Sequence, residues 1–173
     1  YWEEDPEAAV KALNNCYTYL GNMDEQLYSE AMTDNAYTKQ PNDFTQNIGN
    51  GSYSTADAYV KKVWDGRYTG IRMCNQLLEN IDRVPDLDPE LKKRYIGEAK
   101  VLRAYNYYEL YTKFGDVPYT TKVLSIKESM SIARTDRATV IANMLADLDE
   151  VINGNYLPTS YDADNKGRIT RWA

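Results

Sequence analysis

The chain is 173 residues long, 43% hydrophobic and 27% charged, proportions of a globular domain with a substantial core rather than of a disordered chain. No apolar run approaches the roughly 20 residues that a spanning helix needs. A net charge of −6 argues against nucleic acid, whose phosphates require clustered Lys and Arg, and the lack of any histidine removes the usual general base and the commonest metal ligand. Sixteen tyrosines supply flat rings with a hydroxyl, suited to a neutral or polar ligand, although most belong to a core.

In chain order, the first helix opens at Asp5-Pro6-Glu7, a cap followed by proline, and spaces Val10, Leu13, Tyr17 and Leu20 along one side before Gly21. A shorter helical piece covers about 24–32 and presents Leu27, Tyr28 and Ala31. Residues 33–54, TDNAYTKQPNDFTQNIGNGSYS, have no periodicity and are crowded with Asn, Gln, Gly, Ser and Thr. Loops of this length in a compact domain are usually functional or disordered. Tyr37, Phe44 and Tyr53 stand here among Asp34, Asn35, Gln40, Asn42, Gln46, Asn47 and Asn50. Rings can meet the C–H faces of a sugar while short amides bond its hydroxyls. The bland alternative is a solvated connection whose rings tuck back onto the helices.

The second long helix, about 55–81, carries Val60, Val63, Trp64, Tyr68, Ile71, Asn75 and Leu78 on one side. Gly66 and Gly70, four apart, suggest that another backbone passes close by. Asn75 on the buried stripe needs a hydrogen-bond partner, such as a turn of a neighbouring segment, and Trp64 reads as core. Cys16 and Cys74 lie on the inward side of their helices and are too few for a zinc site. They read as buried free thiols, with a disulfide as the alternative in an extracytoplasmic setting.

Asp88-Pro89 then opens the central helix, which contains YIGEAKVLRAYNYYELYTKFGDVP (95–118) and stops at Gly115 and Pro118. Ile96, Arg103, Tyr107, Leu110, Tyr111 and Phe114 form one face, and Val101, Ala104, Tyr105 and Tyr108 a second apolar arc. That leaves Glu98, Asn106, Glu109 and Lys113 for water, with Glu109 and Lys113 as an i,i+4 pair. Arg103 requires a structural partner, a carboxylate or carbonyl groups. Residues 119–136 are irregular, 122–130 being too mixed to assign. A last long helix, 137–153, buries Val140, Ile141, Met144, Leu145, Leu148 and Ile152 before Gly154. No segment alternates as a strand does. The expected fold is all-α, a single domain over 1–173 built as a tetratricopeptide-like helical array with long irregular loops, although the full repeat signature is absent.

Chemistry finds little support. Asp162-Ala163-Asp164-Asn165-Lys166-Gly167 begins like a calcium loop but fails at Lys166 and Ala173, and Asp147 and Asp149 point about 160° apart on a helix. Neither a catalytic residue, a metal site nor a cofactor is expected. Thr170-Arg171-Trp172-Ala173 reads as the opening of another helix, and the start shows no leader or lipidation cysteine, so the sequence is expected to be a fragment of a longer polypeptide.

The run from Glu98 through Tyr105, with Tyr107, Tyr108, Leu110, Phe114 and Gly115-Asp116-Val117-Pro118, resembles the signature of the SusD/RagB family. Upstream Trp64, Tyr68, Ile71 and Asn75, and downstream Arg137 through Asp147-Leu148, Leu157-Pro158 and Gly167-Arg168-Ile169-Thr170, fit it in order and spacing. The resemblance covers about three quarters of the chain. It implies the N-terminal part of a surface-exposed outer-membrane lipoprotein of Bacteroidetes with degenerate tetratricopeptide-like units, touching the membrane only through a lipid anchor outside this sequence. It further implies non-catalytic binding of starch or another glycan, without a cofactor, and delivery to a TonB-dependent SusC-like transporter. Loops after the first helices commonly face the glycan in that family, so Asp34, Asn35, Tyr37, Phe44, Asn47 and Tyr53 are the candidate contacts. The competing class is a helical scaffold that binds a protein partner through helix faces and touches no sugar.

Overall fold

Local capping signals place the long helices. In the computed structural model, which describes residues 1–39 and 44–172, the Asp88 side chain accepts from the Leu91 N–H at 2.9 Å and Pro89 opens the longest helix. Asp136 caps the last long helix in the same way, accepting from Thr139 N–H at 3.0 Å. The helices are α1 Ala8–Tyr17, α2 Met23–Glu30, α3 Phe44–Gly49, α4 Ala58–Asn80, α5 Pro89–Phe114, α6 Ile126–Ser131 and α7 Arg137–Asn153, with 3-10 turns at Ile81–Arg83 and Ala163–Asn165. The fold is all-α and tetratricopeptide-like, as expected, and the described residues hold no strand beyond an isolated bridge between Val117 and Thr135.

Two compact units divide the chain: Tyr1–Tyr19 with Arg67–Ala173, and Leu20–Gly66. In the first, Ala8, Ala9, Leu13 and Cys16 of α1 pack with Cys74 and Leu77 of α4 and with Tyr95, Ala99 and Leu102 of α5, while α7 lies along α5. In the second, the Phe44 ring stacks on Tyr59 at 4.4 Å and meets Tyr28 at 5.5 Å, a small aromatic core.

Several expectations are corrected. The segment 33–54 contains α3, and 119–136 contains α6, capped reciprocally by Ser125 and Glu128. The first helix ends at Tyr17, so Leu20 lies past it and is exposed; on α2, Leu27 is exposed while the partly exposed Tyr28 turns its ring to Phe44. On α7, Leu145 and Ile152 face outward and Val151 takes the buried position. The water-facing strip of α5 is the largest correction. Glu98 and Asn106 have no exposed surface, whereas Tyr108, placed on an apolar arc, is 48% exposed and continues as an outward row with Thr112. The Glu109–Lys113 pair forms at 2.5 Å. Gly70 is pressed against the side chain of Asn106 rather than a backbone, and Gly66 has nothing near it.

Candidate functional site

The candidate contacts belong to the second unit, where polar side chains fold the backbone onto itself. Thr33 Oγ1 donates to Glu30 O at 2.7 Å and accepts from the Asn35 N–H at 3.2 Å, turning the chain as α2 ends. The Thr38 and Thr45 hydroxyls meet at 2.8 Å, and Gln46 Nε2 donates to Thr38 O at 2.7 Å, fastening 33–39 along α3. After α3, Ser52 N–H donates to Asn47 O and to Asn50 Oδ1, both at 2.9 Å, around Gly51, whose φ of +75° suits a residue without Cβ.

These turns divide the candidates. Tyr37 is 77% exposed and Tyr53 49%, and Asp34 and Asn35 also face solvent. Phe44 is half-buried in the aromatic core with Tyr28 and Tyr59, and Asn47 is half-buried and engaged with Ser52. Gln40 and Asn42, two of the amides read from the sequence, lie outside the described residues. The exposed candidates are thus Asp34, Asn35 and Tyr37, close in sequence ahead of α3, and Tyr53 beyond it. Asp162 caps the turn Ala163–Asn165, accepting from Asn165 N–H at 3.0 Å, and among the described residues no three His, Cys, Asp or Glu side chains converge as metal ligands.

The first unit holds two polar nodes, of which the sequence foresaw one. Arg103 donates to Asp147 Oδ2 from Nε at 3.2 Å and from Nη2 at 2.5 Å, and its Nη1 reaches Asn75 Oδ1 at 2.9 Å. Asn75 Nδ2 in turn donates to Thr120 O and Lys122 O at 3.3 and 3.1 Å, so both residues have the structural partners expected of them. The second node centres on Glu98. Its Oε2 accepts from Tyr17 Oη at 2.6 Å and Arg168 Nη1 at 3.1 Å, and its Oε1 lies 3.2 Å from Tyr161 Oη and 3.3 Å from Arg94 Nε. Burial first and the Glu98 hydrogen bond second push the Tyr17 pKa upward, while burial followed by the Glu98 charge pushes that of Tyr161 up to about 12. Periodicity could not signal this node. The available signal was that Glu98 and Arg168 stand in two separate pieces of the family resemblance.

Comparisons with known proteins agree with this architecture. Residues 7–173 match the SusD-like family described as starch-binding and associating with the outer membrane. SusD-like protein P25 of Formosa agariphila is 26% identical over 201 residues, covering all of this chain and 37% of that protein. The surface glycan-binding protein A of Bacteroides uniformis superposes with a TM-score of 0.85 at 26% identity, over 97% of this chain and 39% of that one. A laminarin-binding SusD-like protein gives 0.82 at 26% identity, over 99% of this chain and 38% of that one. The chain thus spans somewhat over a third of the length of these relatives.

Proposed function

Since the chain belongs to the SusD-like family, we propose that it serves as part of a non-catalytic protein that captures glycans at the outer-membrane surface and passes them to a TonB-dependent SusC-like transporter. The family match over residues 7–173 is the observation that carries this reading, and the glycan-binding relatives support it. Within the chain, the exposed rings of Tyr37, which follows Asp34 and Asn35 in sequence, and of Tyr53 offer faces for stacking, with Phe44 and Asn47 packed within the same unit. A lipid anchor and the remaining domains would come from sequence outside these residues, which form the N-terminal helical domain of the longer protein.

Isothermal titration against soluble starch and laminarin tests the reading. The protein is expected to bind at least one of them, and Tyr37→Ala or Tyr53→Ala to weaken that binding about tenfold, roughly 1.4 kcal/mol, with the thermal midpoint unchanged because both rings are solvated. No binding to any polysaccharide of a broad panel would overturn it. Exposed apolar pairs on α2 (Met23, Leu27) and α6 (Ile126, Met130) favour a second reading, a helical scaffold for a protein partner. Recovery of such a partner from a membrane extract, undiminished when 33–54 is replaced by Gly and Ser and without any glycan binding, would select it.

A further inference from the structure

Cys16 sits in the last turn of α1 and Cys74 within α4, and neither has any exposed surface. Both belong to one apolar cluster with Leu13, Leu77 and Leu102. The two helices meet at this level, as Asn15 Nδ2 lies 3.1 Å from Met73 Sδ. Both are free thiols, as expected, with Cys16 Sγ donating to Ala12 O at 3.3 Å, and the neighbouring Cys16 thiol, followed by burial, pushes the Cys74 thiol well above the ordinary range. The chain has no other cysteine, so within it each thiol has only the other as a covalent partner.

We propose that Cys16 and Cys74 form a structural disulfide, closed during folding in an oxidising extracytoplasmic compartment. The setting rests on the outer-membrane reading above; the juxtaposition of the thiols does not. The bond would form by exchange with an external disulfide, either a small molecule or an oxidised thiol oxidoreductase. One cysteine thiolate attacks that disulfide and releases its first thiolate, and the second cysteine thiolate then attacks the mixed disulfide and releases the other. Two protein thiols lose two electrons and two protons, and the external disulfide becomes two thiols. Because both sulfurs are sealed from solvent in the folded chain, the exchange takes place before the core closes.

The position of the bond is informative. The chain leaves the first unit at Tyr19 and returns at Arg67, and Arg67 Nη1 donates to Tyr19 O at 2.7 Å. A Cys16–Cys74 bond closes the covalent ring just outside that hydrogen bond, so the ring encloses all of Leu20–Gly66, the unit that carries the proposed glycan contacts. A ring of this size constrains the unfolded chain strongly.

Refolding the reduced protein in mixed reduced and oxidised glutathione, then alkylating and digesting with trypsin, tests the proposal without any glycan assay. Its failure is therefore distinguishable from failure of the binding reading. Peptides 12–39 and 73–83 are expected as one disulfide-linked species, and reductant should lower the thermal midpoint by on the order of 10 °C. Cys16→Ala and Cys74→Ala should each abolish that sensitivity to reductant. Two separately alkylated peptides, a glutathione adduct on either cysteine, or a disulfide-linked dimer would each overturn the proposal, whether or not the variants fold.

Discussion

Glu98 has no exposed surface and answers two guanidinium groups, Arg94 and Arg168, together with the hydroxyls of Tyr17 and Tyr161. A buried carboxylate so surrounded is costly to remove, because its partners stay behind without compensation. Glu98→Ala is expected to lose about 3 kcal/mol, the lower end of the range for a broken buried pair, since both arginine side chains remain 17% exposed. Glu98→Gln keeps an acceptor and should lose less. Urea denaturation midpoints of the two variants and the parent protein check this, and equal midpoints for all three would refute the role assigned to Glu98. The sequence misplaced this residue because its partners come from 63 to 81 positions away, at Tyr17, Tyr161 and Arg168, and no local pattern encodes them. Arg103 was legible for the opposite reason. A charge in the middle of an apolar face needs a partner wherever that partner lies in the sequence, and Asp147 and Asn75 supply it.

Among the elements, α5 and α7 were readable to within a few residues because their ends are set by neighbours in sequence, Asp88 and Pro89 at one start and Asp136 at the other. The six-residue helices α3 and α6 were missed; pieces that short are marginal by themselves and depend on surroundings that periodicity does not report. The candidate contacts suffered similarly. Composition picked out the rings of 33–54, but it could not tell the exposed Tyr37 from Phe44, which α3 turns onto Tyr59. Helix α4 permits a test of how much its surroundings matter, since its two glycines sit in opposite environments. A methyl at Gly66 would meet nothing within 4 Å, whereas one at Gly70 would stand 2.7 Å from Asn106 Oδ1, on a side chain that is buried and bonded to Leu102 O. Gly66→Ala should therefore stabilise by about 1 kcal/mol through helix propensity. Gly70→Ala should destabilise by about 1 to 3 kcal/mol through overpacking. Opposite shifts of the thermal midpoint confirm this account, and shifts of the same sign would contradict it.

For the molecule as a whole, the tyrosines set an alkaline limit. Burial raises the pKa of Tyr17, Tyr68 and Tyr107 first of all, and Tyr161 is brought to about 12. An unfolded tyrosine ionises near pH 10, so above that pH the unfolded chain sheds protons that the folded chain retains. The stabilisation is fully present below about pH 10 and declines as the pH rises toward 12, through the folded pKa of Tyr161. Urea midpoints should hold steady from pH 8 to about 10 and fall beyond it, and the phenolate absorbance near 295 nm should develop late for these residues and in step with unfolding. Flat midpoints across that window would show that the buried hydroxyls do not govern alkaline stability. The family was legible at this scale because the resembling pieces include the residues of both polar nodes, Asn75, Arg103 and Asp147 in one, Glu98 and Arg168 in the other. They are bracing for the helices, which is why they announce kinship and architecture.

The short link between Arg67 and the carbonyl of Tyr19 also bears on how such a chain can diversify. With departure and re-entry points adjacent, the stretch ahead of α4, residues 20–57, can change in length or composition at little entropic cost and without re-threading α1, α5 and α7.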